Sequence, residues 1–252
     1  MALATLSTVV NRTITDRRIW SDIIREYGSL NAWWSTVEGM AYRAASSEAL
    51  RIRPRVGSLD QVGTGLVPFR PDGYKPASFA NVEGEPRFRA SFANVSTNLI
   101  SLFAVGNSAE NFTEIMGLRW GTASLGLRIL HNNYPAITSG TGTLYRNTST
   151  RGTNLDTPYL IAAVIDFANA QAALSVNGEP FVSGAFTGTP PAAPAAQDLT
   201  VDIGAQVLAN GNAERFNGWI GEVGIGIGRD FRAMPGLMAD LASYARDIWG
   251  IA

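Results

Sequence analysis

Trp219-Ile220-Gly221-Glu222-Val223-Gly224-Ile225-Gly226-Ile227-Gly228 decides the fold. Val223, Ile225 and Ile227 fall on one side of an extended chain, and Gly224, Gly226 and Gly228 fall on the other. Such alternation is that of a β-strand buried on its apolar side. Glycine weakens a strand, so three on one face predict close approach of backbone or of an aromatic ring there.

Working back from this strand, further short apolar or alternating runs appear. They are Arg87–Phe92, Asn98–Val105, Glu114–Trp120, Leu125–Leu130, Thr143–Arg146, Tyr159–Phe167, Ala173–Val176 and Thr200–Val207. Asn177-Gly178 closes one hairpin, because both residues accept positive φ. Gly, Asn, Ser and Pro clusters separate the runs at spacings near those of sandwiches and barrels. The expected fold is all-β, an antiparallel jelly-roll sandwich. Pro190–Ala196 is expected to run as a polyproline II loop across the surface.

Forward of the strand, Met234, Leu237, Met238, Leu241, Tyr244 and Ile248 recur at helical spacing. Pro235 suits the first helical position and Gly250 the stop, so a short C-terminal helix is expected. At the other end, residues 1–13 read as an extended arm. Ile14, Ile19, Ile23, Ile24 and Tyr27 then share one face of an amphipathic helix ending at Gly28. Residues 1–29 are therefore expected to serve attachment or oligomer contact, and residues 30–252 to form the sandwich. Met40–Leu50 reads as helix or loop. Residues 54–77, rich in Pro and Gly, read as a long loop.

Composition narrows the function. Charged residues are 16% of the 252, against about 25% in an ordinary soluble domain. A surface so poor in charge suits coverage by neighbours, so a homo-oligomer is expected. Net charge is −1, and no basic excess exists to follow a phosphate backbone. Nucleic acid is excluded as a partner on that ground. Absence of cysteine removes thiolate metal sites and a Cys nucleophile. No run of 18 apolar residues occurs, so no membrane-spanning helix is expected.

The segment Phe216-Asn217-Gly218-Trp219-Ile220-Gly221-Glu222-Val223 resembles the final strand of concanavalin A-like, laminin-G-type jelly rolls. The tail Leu241–Ile251 is similar to their closing helix, and Ile165–Gly178 to their hairpin ending in Asn-Gly. Asn31-Ala32-Trp33-Trp34 and Glu83–Phe88 resemble the opening of versions found in bacteriophage virion proteins. The likeness extends over about residues 30–252, with its specific motifs in the last hundred or so. It implies a non-enzymatic structural or binding component of a phage particle, such as a capsid decoration, head or tail protein. Localisation in the virion, after assembly in the host cytoplasm, would follow. Its partners would be other virion proteins or sister subunits. The alternative is a carbohydrate-binding adhesin or receptor-binding module, and a glycoside hydrolase ranks below both.

Catalytic chemistry finds little footing. Glucan-cutting enzymes of this fold carry Glu-x-Asp-x-x-Glu on one strand, a spacing absent here. Glu83, Glu85, Glu110, Glu114 and Glu222 read as solvated turn carboxylates. His131 is the only histidine, in an expected turn, which rules out a multi-His metal site. Asp156, Asp166, Asp198 and Asp202 lie near expected loops, without the spacing of a Ca²⁺ site. No cofactor is expected. For a glycan, an aromatic platform with polar neighbours is needed. Trp120, Asn132, Tyr134 and Tyr145 are the candidates.

Overall fold

The computed structural model describes residues 27–35, 40–42, 48–52, 54–68, 77–79, 87–111, 113–130, 134–140, 142–147, 157–207 and 213–251. The first strands are β1 (Ala32–Ser35), β2 (Met40–Tyr42), β3 (Glu48–Ile52), β4 (Pro54–Val56), β5 (Gln61–Pro68) and β6 (Ala77–Phe79). Next come β7 (Arg87–Val95), β8 (Leu99–Ser108), β9 (Thr113–Trp120), β10 (Ala123–Ile129), β11 (Pro135–Ser139) and β12 (Gly142–Arg146). Then follow β13 (Tyr159–Asp166), β14 (Gln171–Val176), β15 (Val182–Ala185), β16 (Gln197–Ile203), β17 (Ala205–Val207), β18 (Ala213–Arg215) and β19 (Gly218–Ile227). The helix α1 (Pro235–Trp249) closes the described chain.

The strands form two antiparallel sheets stacked as a jelly-roll-like sandwich. The first sheet has the order β15-β14-β13-β8-β19-β1-β4, with β6 also on β19. The second has the order β12-β11-β10-β9-β16-β7-β5-β3-β2, and β17 and β18 make a small ribbon. The first described strand pairs with the last, Ala32 opposite Ile225 and Ser35 opposite Glu222.

At its centre, in β8 and β13, the first sheet is buried on both faces. Ile161, Ala163 and Ile165 of β13 face the sandwich interior, while Leu160, Ala162 and Val164 face α1. Coverage on two sides explains why Tyr159–Ile165 is nearly continuous apolar sequence and does not alternate. Opposite the inner face, Phe88, Leu118, Leu127, Ile137 and Val201 of the second sheet fill the interior. On the outer face, α1 buries Leu237, Leu241 and Tyr244 against Trp33 and Phe103. Each such side chain contributes about 1.5–3 kcal/mol on burial.

The glycine face of β19 behaves as its pattern predicts. A Cβ at Gly224 would lie 2.0 Å from the Phe103 ring, and one at Gly221 would lie 2.4 Å from the Trp249 ring. At Gly226 it would meet the Ser29 carbonyl at 2.7 Å. Gly228 departs from the expectation, lying past the strand in a turn with φ of +69°. Asn177 (φ 53°) and Gly178 (φ 81°) form the hairpin turn between β14 and β15. The helix runs from Pro235 to the left-handed Gly250, as expected.

Three expectations are corrected. Met40–Leu50 contributes β2 and the start of β3, in place of a helix or loop. Much of residues 54–77 is strand, as β4 and β5. Pro54 opens edge strand β4 and Pro68 ends β5, positions that tolerate proline's missing N–H. Thr200–Val207 is two strands, broken at Gly204 (φ 85°). The expected arm and the helix from Ile14 lie outside the described residues, apart from Tyr27 and Gly28 at its end. The Tyr27 hydroxyl donates to Asp240 Oδ2 of α1 at 2.8 Å.

Candidate binding groove

Several chain reversals meet at one rim of the sandwich. The β9–β10 turn brings Thr122, with Ala123 and Ser124 just beyond it. The β11–β12 turn brings Ser139 and Gly140, and the proline-rich loop brings Pro191 and Ala192. Gln197, the first residue of β16, completes a groove of about 480 Å³ with Trp120 in its wall. That size lies within the about 300–1,000 Å³ usual for small-ligand sites.

Sequence and packing explain the shape. Pro190–Ala196 is irregular surface chain, pinned at intervals. Trp120 Nε1 donates to the Ala192 carbonyl at 2.9 Å, and Thr97 N to that of Pro194 at 3.1 Å. Ala196 N donates to Ser96 Oγ at 2.8 Å. Trp120 is itself held edge-on by Phe167, at 5.7 Å between ring centroids. Among the described residues, the groove lining holds no Asp, Glu, Lys or Arg.

Of the four expected platform residues, the three that are described, Trp120, Tyr134 and Tyr145, lie apart. Trp120 lines the groove but is 2% exposed, so it offers an edge and no stacking face. Tyr145 points into the interior, its hydroxyl donating to the Val182 carbonyl at 2.8 Å and its ring lying over Gly184. Tyr134 is half-buried at the far end of β10 from Trp120. Asn132 and His131 lie outside the described residues. The aromatics are spent on the core, as a thick sandwich demands. Sequence reading missed Thr122, Ser124, Ser139 and Gln197, whose only signal was hydroxyl and amide groups beside the turn glycines Gly121 and Gly140.

Two carboxylates also correct the expectation of solvated turns. Glu222 lies within β19 and is 0% exposed. Its Oε2 accepts from Trp33 Nε1 at 2.8 Å. Its Oε1 accepts from Ser35 Oγ at 2.9 Å, Tyr244 OH at 2.6 Å and Trp249 Nε1 at 3.3 Å. Arg55 stacks over Trp33, 4.8 Å from the ring centroid, and donates to Tyr244 OH at 2.8 Å. Burial pushes the Glu222 carboxyl above its ordinary pKa, while Arg55 and these donors pull it back.

Glu114 lies within β9, also 0% exposed, with its Oε1 accepting from Arg128 Nε and from Thr138 Oγ1 at 3.3 Å. Its Oε2 has no partner among the described residues. Burial raises its pKa to about 7 against the opposing pull of Arg128. Neither carboxylate lines the groove.

The expected loop aspartates are occupied. Asp202 holds Arg89 through two hydrogen bonds, Asp166 holds Arg232 at 2.9 Å, and Asp198 accepts from Asn94 N at 3.1 Å. Asp156 lies outside the described residues. Among the described residues no three His, Cys, Asp or Glu side chains converge as metal ligands, and no helix is long and apolar enough to cross a membrane.

Neither a protein-family model nor any curated protein sequence matches the chain. Solved structures do match its fold. One is domain 4 of AbnA, a GH43 extracellular arabinanase from Geobacillus stearothermophilus, in complex with arabinotriose. The match has a TM-score of 0.55 and 17% identity, covering 85% of this chain and 98% of that one. Another is Trypanosoma rangeli sialidase with bound sialic acid, TM-score 0.54 and 14% identity, covering 87% of this chain. This chain spans 33% of the sialidase. Both matches concern the β-sandwich fold.

Proposed function

We propose that this chain is a non-enzymatic glycan-binding module whose site is the rim groove. The observation that carries this reading is the lining. Three hydroxyls and one amide alternate there with small apolar groups, the mix that a sugar's hydroxyls and C–H faces require. A structural neighbour solved in complex with arabinotriose supports the same choice. The non-enzymatic part rests on the carboxylates. Glycoside hydrolysis uses two carboxyls about 5–9.5 Å apart flanking the bond. Among the described residues the groove lining has none, and Glu114 and Glu222 are sealed elsewhere.

A place on a phage particle, held through residues 1–29, accords with this role but draws no support from the fold neighbours. A glycan array tests the proposal. Reproducible hits that disappear when Ser139→Trp fills the groove support it. An array without hits, or turnover of a bound polysaccharide, would overturn it.

A further inference from the structure

The charge of the groove narrows its ligand. We infer that it selects uncharged oligosaccharides over anionic ones, with Gln197 as the specificity-determining side chain; this rests on the groove being the glycan site. A sugar carboxylate entering the groove would lose water and need a cation or several aligned donors in return. Among the described residues no cationic side chain lines the groove. Arg119 stands opposite Ser124 in the β9–β10 ladder, yet is not part of the lining. The neighbouring Asp198 is engaged with Asn94 N. A neutral sugar meets no such penalty, since hydroxyl and amide groups both donate and accept.

Gln197 is placed for discrimination. Its side chain lies against the β9–β10 turn, where Gly121 has φ of +54°. A Cβ at position 121 would come within 2.8 Å of Gln197 Nε2. Glycine there both permits the left-handed turn and leaves room for the amide. An amide presents two donors and one acceptor in a plane, which matches two neighbouring hydroxyls of one sugar ring. It offers no net charge to balance a carboxylate.

Calorimetric titration of the full chain with arabinotriose and cellotriose, against sialyllactose and trigalacturonate, tests this. The neutral probes should bind at least about tenfold more tightly than the anionic ones, in keeping with the cost of an unpaired buried charge. Gln197→Ala should weaken neutral binding by about tenfold without moving the thermal midpoint. Gln197→Arg should strengthen binding of the anionic probes. Equal or tighter anionic binding by the parent, lost on Ser139→Trp, would overturn the charge selectivity while leaving the glycan site standing. Unchanged neutral affinity in Gln197→Ala would overturn the role of Gln197. Binding of neither class would overturn the glycan site and the selectivity together.

Discussion

Glu222 and Glu114 are equally inaccessible, one in each sheet, but they are neutralised differently. Glu222 uses both oxygens, accepting from four side chains on β1 and α1, with Arg55 one step further out. Glu114 puts Arg128 and Thr138 on a single oxygen, and those partners come from neighbouring strands of its own sheet. The first is a hub that joins the sheet to the helix. The second is a pair within one layer. A pair can be deleted together, whereas replacing a hub by an apolar residue takes the acceptor from several donors at once.

Replacing the hub should have the largest effect. Glu222→Leu removes the shared acceptor of the two indole N–H groups, Ser35 Oγ and Tyr244 OH, and should cost about 3–5 kcal/mol in urea unfolding. A cost below that of an ordinary core substitution would reduce the hub to packing. Next in size, Tyr244→Phe removes the shortest of the four hydrogen bonds and should cost about 1.5–3 kcal/mol. The rings of Tyr244 and Trp33 would remain packed.

The pair has its own mark, in pH. Unfolded Glu114 loses its proton near 4.5 and the folded carboxyl near 7, so between those values the folded state holds more proton. Raising pH through that window therefore removes stability. Relative to the parent, Glu114→Gln should gain on the order of 2 kcal/mol between the two ends of the window. A constant difference across it would place the ionised pair in the folded state throughout. Smallest of all, Glu114→Leu combined with Arg128→Met should stay within about 1 kcal/mol of the parent, because both charges leave together. A large loss would make Glu114 as much a hub as Glu222.

What the sequence revealed follows the range of the interactions. The glycine-lined strand, the Asn177-Gly178 turn and the Pro235–Gly250 helix are set by neighbours a few residues apart, and all three are legible. The Glu222 hub is not. Two of its partners, Trp33 and Ser35, are 189 and 187 residues distant, and only the fold brings them together. An unbroken strand pattern on both sides of Glu222 was the one available hint that it is no turn residue. Strands β4 and β5 were hidden for another reason, since their glycines and prolines belong to strand interiors and ends that look like loop in one dimension, while the alanine-rich sequence around β2 and β3 carries no strand alternation. The groove was half legible. Trp120 was found as an aromatic, but its partners are turn hydroxyls and an amide that any surface loop could carry.

The pairing of β1 with β19 has a consequence for how the molecule is made. Trp33 and Trp34 are synthesised long before Gly224 and Val223, the residues they pair with. Closure of so long a loop carries an entropic cost and delays completion of the first sheet until β19 has been made. Nascent chains stalled before Gly218 should therefore hold both indoles in water, quenched readily by a soluble quencher, and chains extended past Ile227 and released should shield them.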